Sequence, residues 1–230
     1  MLCRAGLNQD KLEFSVQDEW DGKWSKDVMY YDVIGICRSM TEKQMRRALN
    51  SAMTTWDIEI PVKFHPAWVD DTIIPDITID FKNKTTDDYF KKSPSVLAYA
   101  FMPNQGTVSG KLVFNDDYIW DFLGKGMKAS DALKKGLIAG TVNPDNIIKT
   151  YSLVVVLVHE LGHMLGLTHD TSGNQEGLDV MDAYYSGIDR ISLSDRDLYR
   201  IRLKYGIRKF SNWSRYSDLK RAITKSILRL

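Results

Sequence analysis

The steadiest hydrophobic period runs from Thr41 to about Ile58, where Met45, Ala48, Leu49, Ala52, Met53 and Trp56 recur at helical spacing. Thr41 with Gln44 three residues on fits a capping box, and Pro61 lies just beyond the stop. Around this helix, Val28–Ile34, Val62–His65, Ile77–Phe81, Val96–Phe101 and Lys111–Phe114 read as strands. Ile77–Phe81 alternates apolar and polar residues as a half-buried strand does. Residues 82–94 between them are polar and read as a loop. A small helix, Ser130–Leu137, with Ser130-Asp131 as its N-cap, is expected among the glycines of residues 121–150. Ser194–Tyr205 is a helix with Leu198, Ile201 and Tyr205 on one face and Gly206 as its stop.

The two ends of the chain differ from this pattern. Residues 1–20 show no steady period and read as a lead-in. Residues 207–230 carry seven Lys or Arg against one Asp. Within them Leu219, Ile223, Ile227 and Leu230 face away from Arg221, Lys225 and Arg229, a basic amphipathic helix. A helix this short needs a cover for its apolar side, and docking on the main domain is favoured over membrane contact.

The 230 residues suffice for one well-cored domain with appendages. A hydrophobic share of 43% and a charged share of 27% are those of an ordinary globular chain. A net charge of +1 argues against general nucleic-acid binding, and a monomer is expected. Cys3 and Cys37 allow one disulfide at most. Neither a signal-peptide core nor a stretch of membrane-spanning length is seen, which points to an intracellular protein or non-classical release, or to an extracellular one if the N-terminus is truncated.

The chemistry concentrates in residues 159–170, His-Glu-Leu-Gly-His-Met-Leu-Gly-Leu-Thr-His-Asp. His159 and His163 are four apart, so on a helix both imidazoles share one face and suit a zinc ion. Glu160 projects beside them, within reach of a water but off the ligand face. Gly166 lets the helix stop and double back, and His169 can then supply a third ligand. Three protein ligands leave a fourth position for water, the mark of a catalytic zinc. Propensity alone would make Val154–Val158 a strand, but the ligand spacing demands a helix over Ser152–Leu165. Five specified positions coincide, and three use histidine, of which the chain has four.

This is the extended motif of the metzincin peptidases. Val180-Met181-Asp182, twelve residues past His169, stands where those enzymes place a methionine turn. From about Trp24 to Gly206 the order of pieces resembles the matrixins, the catalytic domains of matrix metalloproteinases. Trp24 and the strand after it resemble their opening, and Ala48–Trp56 with Pro61 and Phe64 their first helix and second strand. Leu97-Ala-Tyr-Ala-Phe-Met-Pro103 resembles the upper rim of the cleft, Val113–Trp120 the strand after it, and Leu193–Gly206 the closing helix.

The resemblance implies an α/β (α+β) domain: a twisted, mixed five-stranded sheet with two long helices, a zinc cleft and a small C-terminal subdomain. It implies a zinc-dependent endopeptidase acting on protein or peptide substrates, with Glu160 as general base. Leu97 and Ala98 would pair with extended substrate, while Val155 and Tyr185 would line the specificity pocket. The expected division is a lead-in over residues 1–20, the peptidase domain over 21–206 and the basic tail over 207–230. The alternatives are a non-catalytic zinc-fold binding module and a metzincin of another subgroup.

The departures from that family are specific. Tyr99 and Val113 occupy two histidine positions of its structural zinc, and His65 lies elsewhere, so one catalytic zinc and no structural zinc is expected. Asn115 and Tyr118 stand where acidic calcium ligands would, so calcium is doubtful. Asp170 follows the third histidine in place of Ser or Thr, and the stretch from Trp120 to His159 is longer than usual. No Pro-Arg-Cys-Gly switch precedes the domain, and Cys3-Arg4-Ala5-Gly6 is too weak a likeness to count as one.

Overall fold

A computed structural model describes residues 2–6 by their backbone, and residues 21–170, 179–185, 192–209, 216–217 and 220–221. In chain order the elements are β1 (Leu2–Gly6), β2 (Val28–Val33), α1 (Glu42–Asp57), β3 (Lys63–Pro66), β4 (Ile77–Lys82), α2 (Asp88–Lys92), β5 (Val96–Phe101) and β6 (Lys111–Asn115). There follow β7 (Trp120–Asp121), β8 (Met127–Lys128), α3 (Ala129–Lys134), β9 (Ile147–Ile148), β10 (Tyr151–Ser152), α4 (Leu153–Met164) and α5 (Asp195–Tyr205).

The main sheet is mixed. β2–β6 form the five expected strands, with β3, β2, β4 and β6 parallel to their neighbours and β5 antiparallel to β6. The lead-in adds a sixth strand, β1, antiparallel to β5 and outside it. One face of the sheet is covered by α1 and α4, which pack on each other. The apolar stripe of α1 is buried as its period requires, with Ala48, Ala52 and Trp56 fully covered. The Thr41–Gln44 capping box forms, which satisfies orphan amides at the start of α1. Trp56 lies in the core and also donates its indole N–H to the Val158 carbonyl of α4 at 3.0 Å. Trp24 does the same for the Met164 carbonyl at 2.7 Å, so two tryptophans bracket α4.

Two local expectations need correction. Residues 82–94 are not all loop: α2 forms there because Asp87 caps the Tyr89 and Phe90 amides. The small helix of the long connection begins at Ala129, with Lys128 as its N-cap and no side-chain cap bond. Ser130 lies inside its first turn and donates its own backbone N–H to the Pro144 carbonyl at 3.1 Å. The connection as a whole returns β10 parallel to β7, with Tyr151 beside Trp120 and Ser152 beside Asp121. Cys37 is a buried free thiol.

Tyr99 and Val113 are cross-strand partners, buried in an apolar cluster with Phe90 and Val96. The Tyr99 hydroxyl donates to Asp87 at 2.7 Å, and its ring lies against Tyr89, Phe90 and Phe101. Asn115 is buried and donates to the Val96 carbonyl at 2.9 Å, and the Tyr118 hydroxyl donates to the Pro94 carbonyl at 2.9 Å. Both side chains therefore pin the turn that leads into β5.

The apolar face expected of the tail, Leu219, Ile223, Ile227 and Leu230, lies outside the described residues. The tail residues that are described dock through charge. Glu59, 2% exposed, receives Arg202 of α5, the Tyr216 hydroxyl at 3.1 Å and Lys220 at 3.0 Å. Arg208 pairs with Asp57 and donates to the Ile60 and Val62 carbonyls. A carboxylate this buried depends on its cations, and removing one side of such a pair strands the other. Glu59→Ala should lower stability by about 3 kcal/mol, the low end for a buried pair because Arg202 and Lys220 stay partly solvated. A thermal melt checks this, and a loss below about 1 °C would show the cluster to be inert, since each kcal/mol moves a domain of this size by roughly 2–4 °C.

Candidate metal centre and cleft

α4 is helical although its first half is rich in β-branched residues, because it is buried on every side, from Leu153 to Met164. Ser152 caps it, its hydroxyl accepting from the Val155 amide at 3.2 Å. The helix stops as expected. Gly166 takes a positive φ of 88°, and the amides of Gly166 and Leu167 close back on His163 and Gly162. A side chain at Gly166 would also meet the Gly22 carbonyl, so both conformation and space demand glycine.

The turn brings the three predicted histidines together. Their Nε2 atoms lie 3.0 Å (His159–His163), 3.1 Å (His163–His169) and 3.3 Å (His159–His169) apart. The other ring nitrogens fix the tautomers. Nδ1 of His159 is 2.6 Å from the Val180 carbonyl, and Nδ1 of His163 is 2.7 Å from the Leu167 carbonyl. A carbonyl only accepts, so each Nδ1 carries the proton and each Nε2 turns its lone pair inward. Burial, with His159 and His169 beside it, holds the His163 pKa well below the usual imidazole range, so protonation does not relieve that crowding. The convergence fits a cation. Ligands at about 2.0–2.1 Å around tetrahedral zinc stand about 3.3–3.4 Å apart, close to the spacings found. Among the described residues these three form the one group of His, Cys, Asp or Glu placed to hold a metal ion.

Glu160 is fully buried on the same helix, one position off the ligand face. Met181 lies under the centre. Its sulfur would be struck by any side chain at Gly162, so that glycine admits the methionine against α4.

The turn carrying Met181 is tied on three sides. The Val180 carbonyl meets His159, the Met181 carbonyl accepts from the Asp170 amide at 2.9 Å, and the Val180 amide donates to Asp197 at 2.9 Å. Asp197 is 1% exposed, and burial pushes its carboxyl pKa up against the hydrogen bonds that lower it. Sequence reasoning missed this role, although the capping box Ser194–Asp197 marked the residue. It also missed Arg200, which donates to the Thr168 carbonyl at 2.9 Å beside His169. Asp170 is paired with Arg196 of α5.

The remaining predicted residues lie on β5, on α4 and beside its start. Leu97 and Ala98 are fully buried on β5, and Ala98 is opposite Ala5 of β1. Val155 is buried on α4 one turn before His159. The Tyr185 oxygen accepts from the Ser152 amide at 3.1 Å, and its ring packs on Tyr151 with centroids 5.5 Å apart. Among the described residues no helix is long and apolar enough to cross a membrane.

Comparison with known proteins follows the same lines. The chain is 28% identical over 205 residues to human matrix metalloproteinase-25, an alignment covering 87% of this chain and 31% of that protein. Human matrix metalloproteinase-26 is 27% identical over 186 residues, 80% of this chain and 60% of that protein. Karilysin of Tannerella forsythia is 26% identical over 172 residues, 73% of this chain and 30% of that protein. The chain thus spans about a third to three fifths of the length of these relatives. The matrixin family model matches residues 23–206, from just before β2 through α5, and the chain therefore belongs to the matrixin family.

Proposed function

We propose that the protein is a zinc-dependent endopeptidase cleaving protein or peptide substrates. The observation that carries this reading is the convergence of three histidine Nε2 atoms, two of them with their tautomers fixed, beside a buried glutamate. His159, His163 and His169 would hold the ion. Zinc supplies Lewis acidity toward a carbonyl and lowers the pKa of a water to about 7. Glu160 accepts the proton of the attacking water and hands it to the leaving amine nitrogen, so its task is to be ionised first and protonated second. Met181, Asp197 and Asp170 keep the floor of the site fixed. Leu97 and Ala98 pair through their backbone with an extended substrate, as an added strand does. Val155 and Tyr185 line the pocket for the residue after the cut, and the small apolar Val155 favours an apolar side chain there. This activity belongs to residues 21–206, with 207–230 as an appended tail.

The centre takes one zinc per chain. Tyr99 and Val113 stand in the apolar cluster described above, where the Tyr99–Asp87 hydrogen bond ties β5 to α2. Asn115 and Tyr118 are committed to backbone carbonyls, which leaves calcium a poor prospect at that loop.

Two measurements test the reading. Glu160→Ala should lower turnover of a fluorogenic peptide by about 10²–10⁴-fold, the usual contribution of general acid–base catalysis, with bound zinc unchanged; near-normal turnover would remove Glu160 from the mechanism. Elemental analysis after dialysis should give one zinc per chain, with activity little changed by added calcium. Two tightly held zinc ions would refute the single-site reading.

A further inference from the structure

His159 and His163 emerge from α4, which is buried along its whole length. His169 does not lie on that helix. It follows the turn at Gly166, on a segment that is neither helix nor strand. The residue on each side of it is held by α5. Arg200 donates from one guanidinium nitrogen to the Thr168 carbonyl at 2.9 Å and to the Thr168 hydroxyl at 3.1 Å. Arg196 pairs with the Asp170 carboxylate. Four positions separate the two arginines, so on α5 they stand one turn apart on the same face. Arg200 is 8% exposed and the Asp170 side chain 5%, so each contact has one partner largely shut off from water. A guanidinium suits both tasks, because its planar fork can reach two oxygens at once and it stays charged at any working pH.

We propose that Arg196 and Arg200 act together as a clamp on the third ligand, and that this clamp sets how tightly the centre retains its metal. They are positioning residues, which touch the flanks of His169 and act through it. The inference rests on the reading of the three histidines as a zinc site. Two ligands are placed by a buried helix whether or not a metal is bound. The third is placed by a backbone that must itself be held. Ordering a free segment costs conformational entropy, and holding it in place beforehand removes that cost from metal binding. The clamp also closes a ring of contacts. The Asp170 amide donates to the Met181 carbonyl at 2.9 Å, and Asp197, next to Arg196 on α5, accepts from the Val180 amide at 2.9 Å. One helix thereby sets both the third ligand and the turn under the metal. The charge of the clamp gives the proposal a sign. Guanidinium groups near a dication repel it, so by charge alone their removal would tighten zinc binding. As a clamp, their removal loosens it.

The experiment uses the full chain and measures zinc affinity by competition with a chromophoric chelator, together with the absorption spectrum of the cobalt-substituted protein. Outer groups of metal sites contribute about 10–100-fold to metal affinity. Arg200→Gln should weaken zinc binding by about a hundredfold, and Arg196→Gln, at the more exposed position, by about tenfold. Asp170→Asn removes the same pair without touching α5 and should match Arg196→Gln. Joining those two changes should cost no more than either alone. Arg196→Lys should keep most of the affinity, whereas Arg200→Lys should not, since an ammonium lacks the fork. The cobalt spectrum should shift in Arg200→Gln, reporting a change in the ligand geometry itself. Should Arg200→Gln not fold, Arg196→Gln and Asp170→Asn carry the test, because Arg196 is 46% exposed. A role confined to stability would lower the melting temperature of the metal-free chain and leave zinc affinity and the cobalt spectrum as they are. That result would overturn the proposal, and so would tighter zinc binding in the glutamine variants. If the wild-type chain holds no zinc, the metal-centre reading fails by itself. Amide exchange at residues 167–170 of the metal-free chain then decides the matter: faster exchange in Arg200→Gln supports the clamp, and unchanged exchange refutes it.

Discussion

Three imidazole lone pairs pointed at one another inside a protein are unfavourable unless a cation lies among them. That constraint governs the rest of this structure. The Val180 and Leu167 carbonyls force the protons onto Nδ1 of His159 and His163, and burial opposes charging the His163 ring. The centre is therefore preorganised toward metal, and the surrounding elements hold that arrangement against its own repulsion. Trp56 and Trp24 tie α4 from two sides, and Asp197 and Arg200 reach from α5 to the methionine turn and the third ligand segment. Outer groups of this kind orient ligands and fix tautomers in metal sites generally.

Around β5, hydrogen bonds and aromatic packing hold the neighbouring segments together. Tyr99 pairs across the ladder with Val113, and its hydroxyl goes to Asp87, which at the same time caps α2. One carboxylate thus joins the start of a helix to a strand residue twelve positions further on. Asn115 and Tyr118 converge on the 94–96 backbone, again fixing the entrance to β5. Burial of the phenol and proximity to Asp87 push the Tyr99 pKa well above the ordinary tyrosine range, so the donor keeps its proton over any working pH. Such a bond is not lost to chelators, unlike a metal that is folding energy in itself.

Most of the fold and the ligand set was legible because periodicity and spacing are local. The stripe on α1, the alternation in β4 and the motif over 159–170 each lie within one element or turn. Val154–Val158 shows where the local signal points the wrong way: β-branched residues favour a strand, and complete burial of α4 together with the ligand geometry overrides that preference. What escaped was non-local. Nothing in Ser194–Asp197 beyond a capping box says that the aspartate also holds the turn carrying Met181, since Met181 and Asp197 lie sixteen residues apart. β1 escaped for a related reason. An outer strand held by backbone pairing needs no alternation, so residues 2–6 read as a featureless lead-in.

The long connection between β7 and β10 belongs to the same chain of dependence. It leaves the core at Asp121 and returns at Ser152, whose pairing beside Asp121 is held by Thr150 donating to Asp121 at 2.6 Å. Ser152 is at once the end of that pairing, the cap of α4, the donor to the Phe122 carbonyl at 2.9 Å and the amide bound by Tyr185. Gly124, with a φ of 70°, lies so close that a side chain there would meet both the Ser152 amide and the Tyr185 hydroxyl. The cap of α4 and the position of Tyr185 are therefore set by one crowded turn. A helix buried on all sides has little freedom to rotate, so fixing its start fixes the face on which His159 and His163 emerge. The length of the connection costs little, since loop closure grows slowly with length, and its two ends are stitched together before α4 begins.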